Sequence, residues 1–206
     1  MNLKPPRITF DQIRAKADGI RCLFKDKALP LDILAAAEFD LKYEIRPAKN
    51  LRDKGNTDAL LLRAEKVIFV DEGFLMDDRQ QDSVRFSVAH ELGHAYLHPE
   101  LHASIHTIEQ WVKFQDKIDR ESFGWFESQA EEFAGRLLVP VDALEDSLRR
   151  KILPITRKHS NLNWSNESAI DVAAEIIHKD FGLSPKRISI RIAHENLWAK
   201  LIAPRL

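Results

Sequence analysis

The stretch Val84–Pro99, VRFSVAHELGHAYLHP, sets three histidines at intervals of four, His90, His94 and His98, with Glu91 directly after the first. The spacing is helical: residues four apart share a face, so two imidazoles there can hold one ion. The glutamate after the first histidine projects to the flank, where it reaches a water on the ion rather than the ion itself. At 100° per residue, Ser83, Ser87, His90, Glu91, His94 and His98 fall in one stripe about 100° wide. The remaining surface is Val84, Phe86, Val88, Ala89, Leu92, Ala95, Tyr96 and Leu97, with Arg85 the one charged exception. This reverses the usual surface helix. It predicts a buried helix whose narrow polar face needs partners: a metal site, or, as the alternative, a purely structural histidine cluster.

His98 lies two turns beyond His90, about 12 Å along a continuing helix. One ion held by His90 and His94 is out of its reach. The reading places His98 in the wall of the site or under the turn at Pro99. Gly93 costs a helix about 1 kcal/mol against alanine, which a close approach by another backbone would justify.

A catalytic zinc takes three protein ligands and leaves a position for water. His102, His106, His159, His178, His194 and many acids are candidates for the third. The segment FESQAEEFAGRLL narrows the choice. Its apolar stripe is Phe126, Ala130, Phe133, Ala134, Leu137 and Leu138, and Glu127 falls inside it. A carboxylate aimed at a core needs a partner, and a zinc ion on two histidines is one; an arginine on the flank is the other. Glu131, one turn on, sits at the stripe's edge and is placed to orient a ligand from outside the metal's contact shell. The same wheel puts Glu132 on the far side.

Outward from these helices, Thr9 and Gln12 read as a capping box opening a first helix. A short helix LDILAAAEF, a strand LKYEIRP ending at Pro47, and a loop RDKGNTD follow. ALLLRAEKVIFVDE reads as two strands joined by a tight turn near Ala64 and Glu65. Asp82 or Ser83 can cap the histidine helix. The region from Pro99 to ESFGW reads as irregular and aromatic, either a cleft wall or ordinary core closure. Ser165 caps a later helix, and Ser184 and Pro185 open the last.

The 206 residues suit one domain, or one with a small appendage. A net charge of −1 gives no general pull toward nucleic acid or anionic membrane. The single cysteine, Cys22, excludes an internal disulfide framework, fits a reducing compartment and reads as a core residue. No signal peptide and no membrane-length apolar run is visible, so a cytoplasmic location and no membrane partner are expected.

RFSVAHELGHAYLHP followed by ESQAEEFAGRLLVP resembles the ImmA/IrrE family of bacterial metallopeptidases. The strand pair before the motif fits as well. The similarity covers residues 10–140 well and the later helices loosely. It implies an α+β, zincin-like (gluzincin-type) domain with a small sheet, an active-site helix and a helical C-terminal part. It implies zinc on His90, His94 and Glu127, with Glu91 as catalytic base. Where the family usually has Asn, this chain has Glu131. Known members cleave, or relieve repression by, helix-turn-helix repressors, so a repressor is the expected protein substrate. The family's optional N-terminal DNA-binding domain is expected to be absent. The expected division is a metallopeptidase domain over 1–150 and a helical extension over 151–206 packed on it. Two other readings stay open: a non-proteolytic, toxin–antitoxin-like binding partner, and a DNA-binding regulator acting through the C-terminal helices with Lys186, Arg187 and Arg191. Asp180, Glu175 and Glu195 dilute that basic face, so direct nucleic-acid binding is not expected.

Overall fold

A computed structural model describes residues 4–103, 105–159, 164 and 167–201. Thr9 does open α1 (Phe10–Cys22): its hydroxyl accepts from the Gln12 N–H, and the Gln12 side chain accepts from the Thr9 N–H at 2.8 Å. α1 buries Ile13, Ala17 and Arg21, a four-residue repeat. Arg21 donates to the Leu137 carbonyl at 2.8 Å and to the Lys27 carbonyl at 3.0 Å. That leaves Cys22, one step around the helix, exposed rather than in the core.

α2 (Ile33–Ala35) is capped by the Asp32 side chain and runs on as a π-turn over Ala36–Asp40. β1 (Glu44–Ala48) carries Pro47 inside it, and α3 (Leu51–Gly55) occupies the segment read as a loop. β2 (Ala59–Leu62) and β3 (Val67–Asp71) are the two expected strands, antiparallel with Leu61 opposite Ile68. The turn between them closes on Lys66 at φ 53°. Among the described residues the sheet order is β1-β3-β2, with β1 parallel to β3. Pro47 therefore sits on an edge strand, where a missing N–H is tolerated.

α4 (Glu72–Leu75) leads to α5 (Gln81–Leu97), the histidine helix. Its start precedes Asp82 and Ser83, and no side chain caps it; Asp77 instead caps the 3-10 turn Asp78–Gln80 just before. As the stripe predicts, α5 is buried on nearly every side. α6 (Pro99–His102) and α7 (Ile108–Gln115) make the next region more ordered than expected, and α8 (Arg120–Leu138) begins before ESFGW. Trp111, Phe114 and Phe123 pack with Leu51, Leu60, Leu62 and Ile105, which decides for core closure there. α1 lies along α8: Arg14 meets Glu132 at 2.6 Å, and Asp18 meets Arg136 at 2.7 Å. Glu132 is thus buried, not on an outer face, because α8 is covered by α1 as well as by α5.

The helices α5 and α8 touch at Gly93. A Cβ there would stand 3.0 Å from both the Cα and the carbonyl oxygen of Ala130. Backbone cannot yield as a flexible side chain can. Gly93→Ala is therefore expected to destabilise the protein by about 1–3 kcal/mol, against a helix-propensity gain of about 1 kcal/mol. Denaturant unfolding checks this; an unchanged midpoint would show that the contact is slack.

The chain forms two compact units, Met1–Lys27 with Asp32–Leu137, and Ala28–Leu31 with Leu138–Leu206. They meet in sequence at residue 137/138, whereas the sequence reading divides the chain at 150. The second unit holds α9 (Val141–Ser147), α10 (Leu153–Lys158), α11 (Glu167–Ile177), α12 (Pro185–His194) and α13 (Leu197–Leu201). Gly182, at φ 57°, makes the turn between α11 and α12. The expected cap Ser165 lies outside the described residues. Arg191 is buried and ion-paired with Glu195 on α12, so one of the three cations read as a basic face points inward. No helix among the described residues is long and apolar enough to cross a membrane.

Candidate metal centre

The contact at Gly93 and Ala130 lies three residues beyond His90 on α5 and three beyond Glu127 on α8. It brings the two helices close enough for those side chains to meet. His90 Nε2 and His94 Nε2 are 3.0 Å apart. Glu127 approaches them at 3.2 Å (Oε2 to His90) and 3.3 Å (Oε1 to His94). Donors about 2.0–2.1 Å from a tetrahedral zinc stand roughly 3.3 Å from one another. The spacing and the two-nitrogen, one-oxygen donor chemistry therefore fit zinc. Among the described residues this is the one cluster of three or more such side chains that could hold an ion.

Electrostatics tie the three together. Burial works against the His90 cation, but contact with Glu127, helped by the charges of Glu91 and Glu131, overrides it and holds His90 above its usual value. Burial prevails at His94, which lies lower. Burial would raise Glu127, yet the hydrogen bonds from His90 and His94 take it well below the usual carboxylate range. An anion is thus favoured where a cation would bind.

Glu91 is only 6% exposed, and its Oε2 accepts the Leu61 N–H of β2 at 2.8 Å. Burial pushes it up to about 8, against the opposing pull of His90. In the metal-free protein the folded chain therefore holds this proton more tightly than the unfolded chain, whose value is near 4.5. The stability involved is complete below about 4.5 and is lost as pH rises through 8. Metal-free Glu91→Gln is expected to melt above wild type at pH 8 and close to it at pH 5. Parallel melting curves across that window would refute the burial effect.

His98 ends the helix within the wall of the site. Its Nδ1 is 2.9 Å from His94 Nδ1, its Nε2 is 2.8 Å from Gln129 Oε1, and the Phe126 ring meets it edge-on at 4.8 Å. Burial and the neighbouring His94 bring it down to about 3. Gln129 in turn donates to the Pro6 carbonyl at 2.9 Å. Glu131 is exposed and acts on His90 through its charge, while His98 holds the contact to His94. The other candidate ligands do not join: His106, His159 and His194 are exposed, and His178 contacts the Leu183 carbonyl. The side chain of His102 lies outside the described residues. Sequence reasoning missed Gln129, the Pro6 carbonyl and the Leu61 N–H. A buried glutamine two residues after Glu127 was the only available signal, and it carries no charge to mark it.

Two imidazoles and a carboxylate from two helices, beside a buried acid, make the donor set of an H-E-x-x-H metalloprotein. The Peptidase_M78 family model, the IrrE N-terminal-like domain, matches residues 47–193. The chain belongs to this family, a family of metallopeptidases, and the resemblance to ImmA/IrrE proteins holds. No curated protein matches it significantly.

Proposed function

We propose that the chain is a zinc-dependent endopeptidase of gluzincin type, cleaving a helix-turn-helix repressor or a similar regulatory protein. The observation that carries this is the convergence of His90, His94 and Glu127 at 3.0–3.3 Å with buried Glu91 beside them. A structural ion needs no such acid, which favours catalysis over a non-proteolytic binding partner. The inward ion pair of Arg191 counts against a DNA-reading face.

His90, His94 and Glu127 would hold the ion. Zinc, when bound, supplies a Lewis acid that makes water acidic near neutral pH and stabilises the oxyanion. Glu91 takes the proton of the attacking water and delivers it to the leaving nitrogen. Its anchor on the Leu61 N–H fixes one oxygen and so limits how the carboxylate swings. Glu131 adds negative charge beside His90 and belongs to the surround of the ligand set.

The test is incubation of zinc-loaded wild type, and of Glu91→Gln, with purified helix-turn-helix repressors. Cleavage by wild type alone is the expected result. Equal cleavage by both would reject Glu91 as base, and no cleavage of any helix-turn-helix substrate would reject the substrate class.

A further inference from the structure

We infer that Pro47 and Glu38 close the exposed edge of the sheet to a second copy of this chain. Together they leave β1 with outward backbone acceptors and no outward donor, so two such edges cannot pair.

A strand at the rim of a sheet is a template for pairing with another chain. β1 is such a strand: among the described residues only β3 pairs with it. Its Glu44, Arg46 and Pro47 are exposed, so chemistry rather than a covering element must guard it. Which groups face outward follows from the ladder. The Glu44 N–H donates to the Lys66 carbonyl at 2.8 Å. In a parallel pair alternate residues bond to the same neighbour, so Glu44, Arg46 and Ala48 turn their backbone groups to β3. Ile45 and Pro47 turn theirs away. Pro47 has no N–H to offer. The Ile45 N–H is taken by Glu38 Oε1 at 3.4 Å, from the π-turn that precedes the strand. What remains outward is two carbonyls. Strand pairing exchanges N–H and C=O in both directions, so a second copy brought alongside would set acceptors against acceptors. The opposite rim is closed differently. β2 is buried, its Leu61 N–H is held by Glu91, and its Ala59 carbonyl accepts from the Thr57 hydroxyl at 2.7 Å. Exposure therefore makes β1 the rim at which a second chain could add, and there both donors are withheld.

Pro47→Val restores one outward donor, and Glu38→Ala frees the other. In sedimentation velocity over a concentration series, the double variant should self-associate at least about tenfold more tightly than wild type. Its Ile45 amide should also exchange hydrogen more slowly as concentration rises. Glu44→Ala is the control. It removes one carboxylate, as Glu38→Ala does, but from a residue whose N–H faces β3, so it should keep the association state of wild type. A folded double variant no more associated than wild type overturns the inference. So does Glu44→Ala associating as strongly as the double variant, or a wild type whose own Ile45 amide gains protection with concentration. If the double variant fails to fold, the single substitutions decide. In dilute solution the Ile45 amide should exchange faster in Glu38→Ala than in wild type, and Pro47→Val should associate more than wild type. Equal exchange or unchanged association there overturns the inference.

Discussion

Glu91→Gln should keep its zinc and lose on the order of 10²–10⁴ in cleavage rate. The reason is local. The acid stands directly after His90, is almost wholly buried, and keeps one oxygen on the Leu61 N–H. Glutamine can accept the same N–H, so geometry survives and only the exchangeable proton is lost. Since none of His90, His94 and Glu127 is altered, zinc content should equal that of wild type. Single-turnover cleavage with metal analysis of the same sample is the measurement. Full activity with full metal would reject Glu91 as base; lost metal would mean that it supports the ligands instead.

The second large effect is expected at Glu127. Its oxygens lie 3.2 and 3.3 Å from the two imidazoles, and it is held strongly ionised there. Glu127→Ala removes a donor together with the charge that balances the ion. Zinc affinity should fall by on the order of 10² or more, past the 10–100-fold expected from an outer partner. Chelator competition on the folded, metal-free variant reads this out. Unchanged affinity would mean that the third donor is another residue.

What the sequence could reveal tracks how chemically conspicuous each residue is. His90, Glu91 and His94 stand out because polar groups in a narrow stripe contradict a buried helix. Glu127 stands out because a carboxylate contradicts an apolar stripe. The Gly93 contact was foreseeable from its helix-propensity cost. Gln129, Pro6 and Leu61 act through neutral amides, and hydrogen bonds between distant segments leave no periodic trace. A one-faced wheel also fails where a helix has two neighbours. It put Glu132 outside, though α1 covers that side and pairs it with Arg14. Cys22 reads as a core residue from its type alone, yet Arg21 takes the buried position next to it. The early start of α8 escaped because ESFGW, with its glycine and aromatics, resembles a loop until Phe123 is seen against Trp111. The division into units at 137/138 falls in a continuous helix, where no change of composition announces it.

The close approach of α5 and α8 at Gly93 has a thermodynamic side. Each helix brings donors of its own, so an ion bound between them cross-links two separate segments of the chain. A ligand that binds only the folded state stabilises it by RT ln(1 + [L]/Kd), about 2.7 kcal/mol at a hundredfold excess over Kd. Chelation would then loosen the fold as well as stop the chemistry, and the lifetime of the protein would follow the supply of metal.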